Sequence, residues 1–244
     1  MVLNKSQKEV FKFLCAMKTT EHYKLLANLF RYPNADYKMN TKECATYIRA
    51  NYPESYVEFA PFFDFVETDS LDNIEGVFSR TFHIQAICFL DLGYVLFAED
   101  YKRGEFLVKM KNEQLLVNND CGTELADNLP NVLSLMSLVE DQDFLEEFAV
   151  RIMKKSLGKM LEEFDVARME LKDKIRMKKQ KVVLDEDAVN KNIYRYAING
   201  LLNVVNEDFM EDKYNDPIIV PTLSGNVLAG CNTSCSTPEP IKTV

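Results

Sequence analysis

An all-α fold, a compact single-domain helical bundle, is what this sequence predicts, and three observations carry the prediction. Glycine and proline are scarce, with 8 of each in 244 residues, where average usage would give about 29 together. Few residues are therefore available for tight hairpin turns or for glycine-rich loops. Apolar residues recur at spacings of three and four through most of the chain, the signature of amphipathic helix. Hydrophobic residues make up 47% and charged residues 27%, an ordinary globular balance that supports a real core. A chain of this length buries roughly 70% or more of its unfolded surface, so neither a disulfide framework nor a structural metal is needed.

The elements follow in order. From 6 to 30 run two apolar stripes, Val10, Leu14, Met17 and then Tyr23, Leu26, Leu29, Phe30, which predict a helix interrupted near Thr19 and Thr20. Arg31-Tyr32-Pro33-Asn34 stops it, because a residue before proline is pushed out of the α region. A second helix is expected from Asn40 through Ala50. The aromatic stretch Ser55 to Val66, around Pro61, reads as either a short helix or a packed loop. Asp69-Ser70 caps a short helix with Leu71, Ile74, Val77 and Phe78 on one face.

The most apolar part of the chain, Ile84 to Phe97, is a central helix or a buried strand by periodicity, and the helical surroundings favour the helix. Glu105 to Leu116 reads as the next helix, and Leu129 to Leu138 as another, with Pro130 acceptable in its first turn. The stripe Phe144, Phe148, Ile152, Leu157, Met160, Phe164, Ala167, Leu171, Ile175 predicts one long helix or two nearly collinear ones. Ile193 to Val205 marks the last helix. Residues 1–215 are thus expected as the helical domain. Residues 216–244, where four prolines and two glycines gather, are expected as an irregular, flexible tail.

Composition excludes several functions. The net charge is −9 and the isoelectric point about 4.9, so phosphate backbones are repelled and no nucleic-acid partner is expected. The one basic run, Arg168 to Lys181, has no interleaved aromatic residue for base stacking and reads as a solvated face near a helix C-terminus. The first residues lack the apolar core of a secretory signal, and no apolar run approaches the ~18 residues that span a bilayer. A cytoplasmic chain without membrane insertion is the expectation. The six cysteines are widely spaced, like reduced core residues.

Catalytic apparatus is thin. His22 and His83 are the only imidazoles, and neither follows a glutamate at the spacing of helical di-iron sites. Both are read as structural. No two glycines stand one residue apart, so there is no dinucleotide fingerprint and no Walker A loop. Cys231 and Cys235 give two ligands without a histidine nearby, short of a tetrahedral set. No catalytic residue, metal or cofactor is expected.

Two blocks carry a resemblance. Leu90-Asp91-Leu92-Gly93-Tyr94-Val95-Leu96-Phe97-Ala98-Glu99-Asp100-Tyr101-Lys102-Arg103-Gly104, continued by Glu105-Phe106-Leu107, is the first, and Gly122-Thr123-Glu124-Leu125-Ala126-Asp127-Asn128-Leu129-Pro130 is the second. Together with Tyr32-Pro33 and Val77-Phe78-Ser79-Arg80, they resemble the NarJ-type chaperones. These are the delta-subunit-like assembly factors of nitrate reductase and related molybdoenzymes, akin to the TorD and DmsD chaperones. The resemblance spans about residues 23–165; Ala126 and Asn128 stand where that family has proline and histidine.

The resemblance implies a non-enzymatic, all-α chaperone. Such a chaperone binds the N-terminal segment of the apo catalytic, alpha-type subunit, assists molybdenum-cofactor insertion and leaves the finished enzyme. Cofactor-biosynthesis proteins are further partners it suggests. The client-binding residues it implies are Asp91, Tyr94, Glu99 and Arg103 in the first block and Glu124, Asp127 and Asn128 in the second. A purely structural role stays open, with Arg103 pairing Glu124 or Asp127 to hold the blocks together. So does a helical adaptor or regulatory protein for an unrelated partner, or an α-helical enzyme or haem binder with His22 or His83 in a polar pocket.

Overall fold

The computed structural model describes residues 20–84, 86–165 and 193–209. The architecture is all-α: among these residues the only β-type pairing is one isolated bridge. The helices are α1 (His22–Asn28), α2 (Tyr37–Asn51), α3 (Pro53–Thr68), α4 (Leu71–Phe82), α5 (Leu92–Phe97), α6 (Tyr101–Leu116), α7 (Leu129–Leu138), α8 (Gln142–Phe148), α9 (Lys154–Glu163) and α10 (Ile193–Asp208). None of them is long and apolar enough to cross a membrane. The expected tail from 216 to 244, the basic run, the stripe beyond Asp165, the first stripe before Thr20 and Cys15, Cys231 and Cys235 all lie outside the described residues.

Local chemistry sets the helix starts. Ser70 accepts from Asn73 N–H at 3.2 Å, Asp100 from Lys102 N–H at 2.9 Å and Asp141 from Phe144 N–H at 3.1 Å, each side-chain oxygen satisfying a donor the helix cannot. Pro53 opens α3 in its first turn, where a missing N–H costs nothing. The aromatic stretch around Pro61 is helix, not loop. Pro61 removes only the bond to the Val57 carbonyl, in a turn whose Val57 side chain is exposed. Phe59, Phe62 and Phe63 face inward.

The last helix, α10, fills the middle of the bundle against α3 and α9. Tyr194 is fully buried, with its ring centroid 5.2 Å from Phe62, 5.7 Å from Phe78 and 4.8 Å from Phe82. Its hydroxyl lies 3.2 Å from that of Tyr37, which in turn donates to the Leu29 carbonyl at 2.7 Å. Six residues further on, Gly200 packs so tightly that a Cβ there would come within 2.4 Å of the Phe59 ring. α10 therefore approaches α3 through backbone.

One expectation needs correction. Ile84 to Phe97 is not a continuous helix: His83, Ile84 and residues 86–90 are irregular, Ile84 and Phe89 are exposed, and among the described residues of this stretch only Leu92 to Phe97 is helical. The backbone there has partners elsewhere. Ile87 and Cys88 donate to the Thr81 carbonyl at the end of α4, and Leu90 accepts from Leu129, so the segment's hydrogen bonds go to neighbours rather than to its own next turn. The long stripe from Phe144 is helical from Gln142 to Glu163, as expected, with a π-helical turn over Ala149–Met153 between α8 and α9. All of Phe144, Phe148, Ile152, Leu157, Met160 and Phe164 are nevertheless buried, because the wide turn absorbs the step of five between Ile152 and Leu157.

Helix α5 ends on Ala98 at φ 53°, ψ −128°, a backbone region that an L side chain enters at a cost of about 1 to 3 kcal/mol. Ala98→Gly is therefore expected to stabilise the protein by about 1 kcal/mol, read as a higher urea midpoint. A lowered midpoint would contradict that conformation.

Candidate functional site

The two sequence blocks meet in space, through residues 37 positions apart in the chain. Asp91 precedes α5 and Asn128 precedes α7, and these two residues form the antiparallel bridge. Leu92 N–H donates to the Asp127 carbonyl at 3.0 Å, Leu129 N–H to the Leu90 carbonyl at 2.9 Å, and Asn128 Nδ2 to Asp91 Oδ1 at 3.0 Å. The N-termini of α5 and α7 thus lie side by side, and two carboxylates oppose their positive ends.

The second carboxylate is Asp127, which is fully buried. Its Oδ2 accepts from Gly93 N–H at 2.9 Å, capping α5 from across the bridge, while Oδ1 meets no hydrogen-bond partner. Burial pushes its carboxyl above the usual range; the Gly93 N–H and the Arg103 charge pull it back, and Asp91 pushes it further up. Gly93 makes the close approach possible: a Cβ there would lie 2.7 Å from Asp127 Oδ2 and 2.9 Å from the Phe106 ring.

On the outer side, Arg103 reaches from the first turn of α6 over Tyr94, its guanidinium carbon 5.2 Å from the ring centroid, and lies 3.9 Å from Asp91 Oδ2. Phe89 packs against the other side of the cluster, its ring centroid 4.3 Å from Tyr94, and remains 40% exposed. This corrects the structural alternative: the carboxylate beside Arg103 is Asp91, not Glu124 or Asp127. Asp91 stands immediately before α5, and its carbonyl accepts from Val95 N–H at 3.1 Å.

Five of the seven expected residues, Asp91, Tyr94, Arg103, Asp127 and Asn128, are therefore one cluster. Glu99 and Glu124 are exposed and apart from it, Glu99 in the turn before α6 and Glu124 in the loop before α7. That loop forms, with α6, a cleft of about 670 Å³ lined by Leu107, Lys111, Leu115, Asp120, Glu124, Leu125 and Ala126 among others. Ala126 connects the cleft directly to Asp127. Among the described residues, eight of the twelve large exposed hydrophobic residues fall between Ile84 and Leu138 in the sequence.

Residues that sequence reasoning missed hold the loop in place. Asn131, fully buried, donates to the carbonyls of Cys121 (3.2 Å) and Leu125 (2.9 Å). Gln114 donates to those of Ala126 (2.8 Å) and Asn131 (3.1 Å), and Asn119 bridges to both. The signal was present: Asn131 is a lone amide in the apolar run Leu129-Pro130-Asn131-Val132-Leu133.

The histidines stand elsewhere. His22 is buried in a hydrogen-bonded cluster with Asp208, Tyr23 and Tyr52, and exposed His83 stacks on Tyr32. Among the described residues no group of three or more His, Cys, Asp or Glu is arranged to hold a metal ion. Fold and site together describe an all-α bundle with an acidic, partly apolar surface built from two segments. Comparison with protein-family models, curated proteins and solved structures returns no match.

Proposed function

We propose that the chain is a chaperone of the NarJ type. It holds the N-terminal segment of the apo catalytic subunit of a nitrate reductase-type molybdoenzyme during molybdenum-cofactor insertion and assembly, and is not part of the finished enzyme. The observation that supports this reading is the bridge between Asp91 and Asn128. It gathers into one cluster the two blocks on which the resemblance rests, although nothing in their sequence separation requires them to touch.

In this reading the work is binding. Arg103 and Asp91 are each partly exposed and 3.9 Å apart, a loose surface pair that contributes little. A basic side chain of the client takes the place of Arg103 beside Asp91 and over the Tyr94 ring, where a cation is favoured on both counts. Apolar side chains of the same segment dock in the adjoining cleft on Leu107, Leu115 and Leu125, with Asp120 and Glu124 on its rim, in the helix-in-groove mode. The acidic net charge steers a basic segment towards the site.

Purification of the tagged chain from cells that make such an enzyme is expected to recover the catalytic subunit in its cofactor-free form. Recovery of unrelated proteins alone, with the enzyme present in the extract, would contradict the assignment.

A further inference from the structure

The groove between α2 and α3, away from the paired blocks, carries a second constellation. Its volume is about 440 Å³, within the ~300–1,000 Å³ of small-molecule pockets. Ala45, Phe63 and Val66 supply apolar lining. Lys38, Lys42 and Arg49 also line it, at positions i, i+4 and i+11 of α2, within about 40° of one another around the helix. A chain of net charge −9 thus carries three cations on one helical face. Asp64 and Glu67 on the α3 side leave the groove with three cations against two carboxylates.

The cations are not equivalent. Lys38 Nζ donates to the carbonyls of Glu67 and Asp69 at the end of α3, and Arg49 donates to the Tyr56 hydroxyl and lies 4.5 Å above that ring. Both have structural work. The Lys42 ammonium makes no hydrogen bond or ion pair among the described residues; only the backbone carbonyl of that residue is engaged, by the Thr46 hydroxyl. One residue earlier, Thr41 lines the same groove at 3% exposure, and its hydroxyl has no partner. A helical threonine ordinarily bonds the carbonyl one turn back, and a buried hydroxyl left unpaired is a standing cost that a ligand oxygen would remove.

We propose that this groove binds a small amphipathic anion, a phosphate monoester or carboxylate on a short apolar body. The headgroup pairs with Lys42 and bonds the Thr41 hydroxyl, and the body lies on Phe63 and Val66. The site is independent of the client reading and stands or falls separately from it.

Calorimetric titration with phenyl phosphate and with benzoate tests it, phenol and inorganic phosphate serving as controls. At least one of the two organic anions is expected to bind saturably, and Lys42→Ala and Thr41→Val each to weaken it about tenfold. Which anion binds more tightly identifies the headgroup. Thr41→Val also carries its own folding control: with no partner to lose, the isosteric methyl is expected to raise the Tm of the free protein while lowering affinity. The proposal is overturned if neither anion saturates by about 10 mM, if both variants bind as the parent does, or if phenol binds as well as phenyl phosphate.

Discussion

Asp208→Ala is expected to cost about 3 to 5 kcal/mol of folding stability, the range for removing one partner from a buried charged network. Asp208 ends α10, and its side chain is only 7% exposed. Oδ2 lies 2.8 Å from His22 Nε2 and accepts from the Tyr23 hydroxyl at 2.9 Å; Oδ1 accepts from the Tyr52 hydroxyl at 2.9 Å. His22 and Tyr23 belong to α1, and Tyr52 is the residue joining α2 to α3. One carboxylate therefore ties the end of the last helix to the beginning of the bundle, and removing it strips the acceptor from three donors at once. Burial works against its ionisation, but the bonds from His22, Tyr52 and Tyr23 outweigh that and hold it below the ordinary 3.8. A carboxyl lowered on folding contributes stability above its unfolded value, and the contribution is lost as pH falls through the folded value. The gap between urea melts of parent and variant should accordingly be larger at neutral pH and narrow in acid below about pH 4. A loss under about 1 kcal/mol at pH 7, or a gap unchanged in acid, would contradict this account.

Gly93→Ala is the second large effect, about 2 to 4 kcal/mol. The added methyl would meet Asp127 Oδ2 at 2.7 Å and Phe106 at 2.9 Å. Phe106 is 1% exposed and Asp127 fully buried, so neither has open space to move into. Displacing Asp127 also strips the Gly93 N–H of its acceptor, which adds the cost of an unpaired buried donor to that of over-packing. Gly104→Ala is the control, since nothing lies within 4 Å of a Cβ there and alanine is the better helix former. Equal stability of the two variants would mean that the two blocks are not packed as described.

Where local signals decided the fold, they were legible. Ser70 before Leu71, Ile74, Val77 and Phe78 gave both the start and the inner face of α4, and Leu129-Pro130 the start of α7. Ile84 to Phe97 was misleading because tertiary pairing overrode its apolar character: the backbone of Leu90 and Leu92 bonds a segment nearly forty residues on, which no local pattern contains. The π-helical turn left a trace, the step of five from Ile152 to Leu157 in a stripe otherwise spaced by three and four. For the site, the residue types of the cluster were visible and their partners were not. Arg103 lies against Asp91 rather than Glu124 because α6 returns along α5. The bond between His22 and Asp208 joins residues 186 apart, so a lone histidine at the edge of an apolar stripe held no hint of it.

The central claim is that the paired blocks around Asp91 and Asn128 form the docking site for a basic N-terminal client segment. The most direct test is fluorescence anisotropy with a labelled synthetic peptide from the N-terminus of a nitrate reductase-type catalytic subunit, titrated with the parent chain and with Asp91→Asn. That substitution keeps an oxygen for the bond from Asn128 while removing the charge. The account predicts micromolar or tighter binding that weakens as salt is added and falls about tenfold in the variant. No binding by the parent, or equal binding by a folded Asp91→Asn protein, would contradict it.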